Sequence, residues 1–412
     1  MPNGSRRWRI IRSRSLFFVV VVAAASVALA QSPKNEPKRP RLPAGVDTNN
    51  ARTYYDYGLA KLERDPDEAA NAFFWAMRIN PASAESYYAR RCALLLTDKI
   101  RFQQYMEDDR RTLQSDEIKR IDSLYYFALT INPFMYRGLD ALLFRSYLNA
   151  VSDEYMRRTN VNIQYEINRW LMQLPPSFKA WRAYGEGKFN DALKYYADAI
   201  NDARFKADLR ARRGWLLMQT AQPESALVEL TQSVAEVRRA DRGDLVYVYD
   251  SKALLEHSIG LVHLSLGNGA AAKEAFARAL QEDLSYFPAH VQLADLAMAA
   301  NDTATALNEL DLAVQIRPDH PTLRYAYGYA LTRSGKFEEA ETQFRKAIEV
   351  DPVYSSPYFM LGLVLDSQGK GREALASYRA FLERASQADP RRKEAEDHVR
   401  ELAIKDDGEI DA

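Results

Sequence analysis

The sequence contains a single cysteine, Cys92, so no disulfide can form within the chain of 412 residues. Stability must therefore come from packing. A free cysteine is usually a buried residue. Because Cys92 follows Tyr87 and Tyr88 in a stretch with helical spacing, we expect it to be a small core residue. Glycine and proline, at 17 each, are too few to indicate general disorder.

The chain also lacks an excess of charge of one sign, since 56 basic residues balance 56 acidic ones. Residues 1–30 carry five of the arginines and no acid, which leaves 51 basic and 56 acidic residues in the rest. A nucleic-acid-binding surface needs a basic face to meet the phosphates. We therefore expect no nucleic-acid partner.

The motifs of catalytic and metal sites are missing as well. His257 and His263 are two of only five histidines, and they stand six residues apart, so they cannot share a helical face as paired metal ligands do. The sequence has no HExxH motif, no GxSxG motif and no glycine motif for phosphates or dinucleotides. It predicts no catalytic residues, no metal site and no cofactor, and we expect the chain not to be an enzyme.

The N-terminus has the three parts of a secretory signal. Five arginines precede an uncharged run, Leu16 to Ala30, whose last three residues match the A-x-A cleavage pattern. The run has 15 residues, fewer than the ~20 of a stable membrane span. We predict a cleaved signal peptide over residues 1–30 and a periplasmic or secreted protein. The alternative is an inner-membrane anchor at residues 16–30, which would be the chain's contact with a membrane.

Residues 31–50 contain four prolines and four basic residues. Proline removes a backbone donor and fixes φ, so this segment cannot be a helix. Together with the extended character of proline-rich chains, this composition predicts a disordered linker over residues 31–50.

The rest of the chain is rich in helix-forming residues and repeats itself every 34 residues. A glycine within a helix costs ~1 kcal/mol relative to alanine, which is tolerable where a small residue lets a second helix approach closely. Three classes of residue keep the same step: Gly260, Ala294, Gly328 and Gly362; Ala272, Ala306, Ala340 and Ala374; and Phe276, Leu310, Phe344 and Tyr378.

One 34-residue unit carries a nearly complete family motif. Tyr327-Gly328, Leu331, Gly335, Ala340, Phe344, Ala347 and Pro352 resemble a tetratricopeptide repeat. Residues 253–286, 287–320 and 355–388 resemble the motif with single lapses, and residues 51–81 and 173–240 resemble it less fully. The resemblance implies an all-α fold, a right-handed α-α superhelix of stacked helix pairs, here preceded by the signal peptide and the linker.

The repeat register predicts the remaining boundaries. We expect a helical region with degenerate repeats over residues 51–172, the repeat array over 173–388, a capping helix over 389–405 and an acidic tail over 406–412. An insertion around residues 97–118 is expected to lengthen the helices of a second unit.

The resemblance also implies a binding surface, because in this family the first helix of each repeat lines a concave groove. The set predicted by register is rich in apolar and aromatic residues, which favours apolar or amphipathic protein or peptide segments as partners. Packing between repeats is the alternative for Phe359 and Leu363. The predicted groove residues are His257, Leu261, Leu264, Val291, Asp295, Met298, Tyr325, Tyr329, Arg333, Phe359, Leu363 and Asp366.

These observations lead to the hypothesis of a non-catalytic interaction scaffold of the bacterial cell envelope, which binds partner segments in the concave groove. Two alternatives stay open. One is an envelope enzyme or sugar-handling protein with a site in the irregular region 97–172. The other is a self-assembling structural repeat protein, and the oligomeric state is open too.

Overall fold

The computed structural model describes residues 36–107, 109–204, 206–240 and 249–410. Within these residues the regular structure is α-helical and comprises 21 helices, as the sequence predicts. The predicted signal peptide, residues 31–35 of the predicted linker and the last two residues of the predicted tail lie outside the described residues. None of the helices in the described ranges combines the length and the apolar character that crossing a membrane requires.

Residues 36–137 form the N-terminal block, in which α1 packs on α2, and α3 packs on both α2 and α6. The expectation that the insertion lengthens its flanking helices is wrong. Asp98 and Asp109 instead cap two new short helices by accepting hydrogen bonds from backbone N–H groups, and Ser115 caps α6 in the same way. The helices of the block are α1 (Ala51–Lys61), α2 (Pro66–Ile79), α3 (Ala84–Leu96), α4 (Lys99–Met106), α5 (Arg110–Gln114) and α6 (Asp116–Ile131).

Two helices that the repeat motif does not predict, α7 (Leu139–Thr159) and α8 (Gln164–Met172), connect the block to the array. The array consists of six helix pairs in which each helix packs on the next. Its helices are α9 (Pro176–Gly185), α10 (Phe189–Asp202), α11 (Ala207–Gln219), α12 (Pro223–Ala240), α13 (Tyr249–Ser265), α14 (Gly269–Glu282), α15 (Phe287–Ala299), α16 (Thr303–Ile316), α17 (Pro321–Arg333), α18 (Phe337–Val350), α19 (Ser356–Ser367) and α20 (Gly371–Arg384).

The small residues of the repeat allow close helix contact, as predicted. A Cβ atom added at Gly328 would lie 2.7 Å from Cε1 of Phe344, whose ring is fully buried. The same relation holds between the other repeat glycines and the aromatic residues of their partner helices. The corresponding Cβ contacts are 2.3 Å for Gly260 with Phe276, 2.7 Å for Gly362 with Tyr378 and 2.7 Å for Gly58 with Phe73.

The turns within the repeats also have the predicted conformation. Gly335 has a φ of 73° and Asn301 a φ of 59°, so both residues adopt the left-handed backbone that glycine and asparagine tolerate best. This conformation ends the first helix of each pair and returns the chain for the second. Cys92 is fully buried, as expected, and burial raises the pKa of its thiol to about 12.

The N-terminal block also contacts the loops that join successive pairs of the array, and we call this contact the seam. Phe127 of α6 packs against the ring of His320, with centroids 4.9 Å apart, and against Phe287 at 6.4 Å. Arg78 of α2 forms a buried ion pair with Asp351, with Nε 2.8 Å from Oδ2. Arg78 and Asp351 are 273 positions apart in the sequence, so the seam joins distant parts of the chain.

Residues 36–50 take part in this contact, so the prediction of disorder is wrong for them. The carbonyl of Pro37 accepts a hydrogen bond from Trp75 Nε1 at 3.1 Å. At the other end, Asp47 Oδ2 accepts from Ser386 Oγ and from the backbone N–H of Gln387, both at 2.7 Å. Proline excludes a helix here, as expected, but it does not prevent an extended chain from packing on a folded surface.

The C-terminal helix α21 (Arg392–Ile410) packs on α20, with Ala395 and Leu402 buried between them. It begins three residues after the predicted start of the capping helix at residue 389. It continues through residues 406–410, which the sequence predicted as a separate acidic tail.

Candidate functional site

The twelve predicted groove residues lie on α13, α15, α17 and α19, three on each helix. These are the first helices of four successive pairs. The structure divides the twelve residues into two that are buried, seven that are half-buried and three that are exposed.

The prediction is wrong for His257 and Phe359, which are 2% and 4% exposed. The His257 ring packs between Phe276 and Tyr286, at centroid distances of 5.6 and 5.4 Å. Burial lowers the pKa of this histidine to about 3, so it is neutral at pH 7. Phe359 packs in the same way against aromatic residues of α20. Both side chains are buried between helices. The repeat register alone does not distinguish such a buried position from one on the open wall.

The half-buried residues present only part of their side chains to the groove. Tyr325 packs against Phe344 and Tyr354, with ring centroids 6.0 and 5.8 Å away, and burial raises the pKa of its hydroxyl. The five apolar half-buried members lie at the edges of the hydrophobic cores between repeats: Leu261, Leu264, Val291, Met298 and Leu363. Asp366 is half-buried as well.

The open part of the wall runs across α15, α17 and α19. Asp295, Tyr329 and Leu363 occupy the same position in successive repeats, 34 residues apart. Tyr329 is 44% exposed, which is unusual for a tyrosine on the inner helices of this array. Asp295 is exposed, but neighbouring atoms of the wall partly shield its carboxyl from water, and this desolvation raises its pKa. Arg333, also exposed, adds a positive charge to the same wall.

The C-terminal helix extends this wall, which the sequence analysis missed because it treated α21 only as a cap. Lys393 follows Phe359 by one 34-residue step, and Asp397 follows Leu363 by the same step. The constant step could have predicted both positions. They line a shallow cavity of about 310 Å³ together with Pro390, Glu394, His398 and Glu401.

His398 joins this cavity to the wall of α19. Its Nδ1 lies 3.6 Å from Oδ2 of Asp366, and its ring stacks on Tyr378 with centroids 4.7 Å apart and planes within 4°. The wall is therefore continuous from Asp295 to Asp397. It carries exposed apolar surface in its centre and mixed charges at its end, an arrangement that suits non-covalent recognition of a polypeptide segment.

A side-chain cluster in the irregular region serves the fold. In the irregular region, Oδ1 of Asp122 accepts hydrogen bonds from Arg91 Nε at 2.9 Å and from the Tyr105 hydroxyl at 3.2 Å. These contacts hold α3, α4 and α6 together. Among the described residues there is no group of three or more histidine, cysteine or acidic side chains placed to bind a metal ion.

Comparison with known proteins agrees with the helix pairs. Residues 258–321 and residues 297–362 each match a family model of the tetratricopeptide repeat. Residues 258–362 therefore consist of tetratricopeptide repeats. The matched repeats are those formed by α13 to α19, which also carry the open wall.

Individual relatives of this tetratricopeptide-repeat protein are distant. It is 25% identical over 159 residues to the TPR repeat-containing protein YpiA of Bacillus subtilis (strain 168). That alignment covers 37% of this chain and 37% of YpiA, so the chain spans little more than a third of its relative.

Two solved structures are similar over about half of the chain. YrrB, described as a TPR protein with an unusual peptide-binding site, is 20% identical, with a TM-score of 0.38 over 48% of this chain and 95% of YrrB. The C-terminal part of a TPR repeat-containing protein from Cytophaga hutchinsonii is 14% identical, with a TM-score of 0.42 over 50% of this chain and 77% of that one.

Proposed function

We propose that this tetratricopeptide-repeat protein is a non-catalytic scaffold of the bacterial cell envelope that binds a segment of a partner protein along the wall from Asp295 to Asp397. A general role in protein interaction follows from the repeats. The envelope location rests on the arginine-rich and apolar N-terminal sequence, which has the order of a secretory signal.

One observation carries the choice of surface. Tyr329 stands at the centre of the open wall with nearly half of its side chain in water, although a tyrosine gains stability when its ring is buried. Leu363 and Met298 lie half-buried on the helices to either side. A solvent-exposed aromatic ring between apolar neighbours can serve as the anchor for an apolar or amphipathic segment.

The test is site-specific photocrosslinking in a bacterial envelope with the full chain. A photoreactive phenylalanine replaces Tyr329 in one variant and Lys346 in the matched control. Lys346 is also exposed but belongs to α18, the second helix of the same pair. We expect a discrete crosslinked partner from position 329 and none from position 346.

The second arm measures affinity for the partner so identified. Tyr329→Ala should weaken binding about tenfold or more, as for a central aromatic anchor, while the melting temperature changes by less than about 2 °C. Equal crosslinking from both positions, or unchanged affinity in the alanine variant, would contradict the proposed surface.

A further inference from the structure

The cavity at the end of the wall carries more negative than positive charge. Its lining carboxylates are those of Glu394, Asp397 and Glu401. Lys393 supplies the one ammonium group of the lining, and Arg400 pairs with Asp397 from outside it. Asp366 of α19 adds a fourth carboxylate, 3.6 Å from the lining residue His398. Four carboxylates against two fixed cations leave an excess of two negative charges at this end of the wall.

The fold uses these carboxylates little. Neither Glu394 nor Glu401 forms an ion pair with another described residue, and both side chains are exposed. The pair between Asp397 and Arg400 lies largely in water, with 44% and 74% of the side chains exposed. Exposed pairs of this kind contribute little to stability. The carboxylates of the cavity are therefore free to meet a cation from outside the chain.

A buried hydroxyl beside the same cavity is also unused. Tyr378 is fully buried, and its ring lies flat against that of His398, with centroids 4.7 Å apart. Its hydroxyl forms no hydrogen bond with a described residue, although buried polar groups in folded proteins are nearly always hydrogen-bonded. Burial raises the pKa of this hydroxyl, and the charges of Asp366 and Glu394 raise it further. The hydroxyl thus adds an unused oxygen to the group of carboxylates.

This set of groups is complementary to an organic cation. The ammonium group of a lysine carries three donors and the guanidinium of an arginine five, and neither carries an acceptor. Carboxylates and a hydroxyl oxygen supply the acceptors that such a group needs. The cavity has a volume of about 310 Å³, so it has room for the end of a long side chain. An acidic segment would meet like charges here, which is unfavourable.

The cavity has a fixed place relative to the apolar part of the wall. Tyr329, Leu363 and Asp397 occupy the same repeat position on α17, α19 and α21. The last two helices are in contact, since Arg391 donates a hydrogen bond to Ser356 at 3.1 Å. Packed helices lie about 8–10 Å apart, and an extended chain advances about 3.3 Å per residue. An extended segment across the wall therefore reaches the cavity about three residues beyond its contact with Leu363.

We propose that the segment bound on the wall carries a lysine or arginine whose side chain enters the cavity beside α21. This basic residue follows or precedes the apolar residue on Leu363 by about three positions. The inference rests on the function proposed above, because the same wall holds the apolar part of the segment. What it adds is the charge of the partner, which is a basic amphipathic segment.

The probe is a phage-displayed library of random dodecapeptides, selected on the purified full chain. Clones that bind the wild type and fail to bind Tyr329→Ala depend on the wall, and these are sequenced. We expect lysine and arginine to be enriched over the unselected library about three residues from an apolar position. Aspartate and glutamate should be depleted there, because the cavity repels them.

A double-mutant cycle then tests whether the charge lies in the cavity. Fluorescence anisotropy compares the most enriched peptide with a version whose basic residue is alanine. The alanine version should bind the wild type about fivefold more weakly, but a variant with both Glu394→Gln and Glu401→Gln less than about twofold more weakly. Glu396→Gln is the matched control, since Glu396 is exposed on the same helix outside the cavity lining, and it should behave like the wild type.

A further variant tests the unused hydroxyl. Tyr378→Phe removes an oxygen that has no partner in the fold, so it should melt at or above the wild-type temperature. It should also bind the basic peptide more weakly than the wild type does. A melting temperature several degrees lower would show that the hydroxyl is hydrogen-bonded within the fold, and would contradict its part in the site.

Three results would overturn the proposal, and they can be told apart. Wall-dependent clones without a preference for basic residues would refute the charge of the partner and leave the wall as a binding surface. Equal losses of affinity for the wild type and for the Glu394→Gln, Glu401→Gln variant would exclude the cavity as the place of the basic side chain. The absence of any clone that depends on Tyr329 would contradict both this inference and the proposed function.

Discussion

The contact between Gly328 and Phe344 allows a test of the repeat register, because a smaller side chain at position 344 should relieve the clash caused by a larger one at position 328. Gly328→Ala places a Cβ atom 2.7–2.9 Å from three atoms of the Phe344 ring. The ring is fully buried and cannot move without disturbing its neighbours. The repeat before it shows the alternative solution, since Ala294 occupies the glycine position there and clusters with Leu310 in place of a phenylalanine.

Two opposing effects set the expected magnitude. Alanine is better than glycine in a helix by about 1 kcal/mol. Overpacking a close contact of this kind costs about 1–3 kcal/mol. The alanine variant should therefore lose about 1 kcal/mol of unfolding free energy in the wild-type background. With Phe344→Leu in place the clash disappears, and the same alanine should stabilise the chain by about 1 kcal/mol. The coupling energy between the two positions is then about 2 kcal/mol.

Hydrogen exchange of peptides within α17 and α18 is the suitable assay, because repeats open locally and a single global transition would average the effect. The four proteins of the double-mutant cycle are compared under identical conditions. Gly335→Ala is not a suitable control because its positive φ adds strain of its own. A coupling energy below about 0.5 kcal/mol, the level expected for independent sites, would refute the reasoning.

Two further predictions concern the seam. Asp351→Asn breaks the buried pair with Arg78 and should cost about 2 kcal/mol, because Arg78 keeps Glu36 as a second acidic partner. The loss should appear as faster hydrogen exchange in α2, whereas Glu349→Gln at an exposed position should leave exchange unchanged. Burial lowers the pKa of His320 from 6.5 to about 3, so below pH 6.5 the unfolded chain takes up a proton that the folded chain excludes. Stability should fall by about 1 kcal/mol between pH 6.5 and 5.5 from this residue alone. In urea unfolding, the His320→Phe variant should lose about 1 kcal/mol less unfolding free energy than the wild type over this pH range. A pH dependence equal to that of the wild type would contradict the inference that His320 stays neutral in the folded chain.

The repeating part of the fold could be predicted because its determinants are local and periodic. Gly328, Gly335, Ala340 and Phe344 each act on a partner within the same helix pair, so a constant spacing is enough to recognise them. The insertion before α6 could not be predicted so well. There the helix boundaries depend on single capping residues such as Asp98, which begins a new helix. No repeated spacing in the sequence identifies such residues.

The candidate groove was predictable only in part. Register places Tyr329 and Phe359 on the inner helices alike, but the structure leaves the first open and buries the second. The difference depends on the neighbours that the following helix supplies, including the α20 residues around Phe359. The same step of 34 residues extends to Lys393 and Asp397, which the sequence contained and the interpretation of α21 as a cap overlooked.

The amino-acid sequence by itself determined the helix pairs of this protein, because small and aromatic residues at a constant step specify contacts between neighbouring helices. Only the tertiary structure decided that residues 36–137 fold against the array. The seam joins Arg78 to Asp351 and Phe127 to His320, and these partners are separated by hundreds of positions and follow no period. Burial and charge pairing across such distances arise only when the chain is folded, so no local pattern in the sequence announces them.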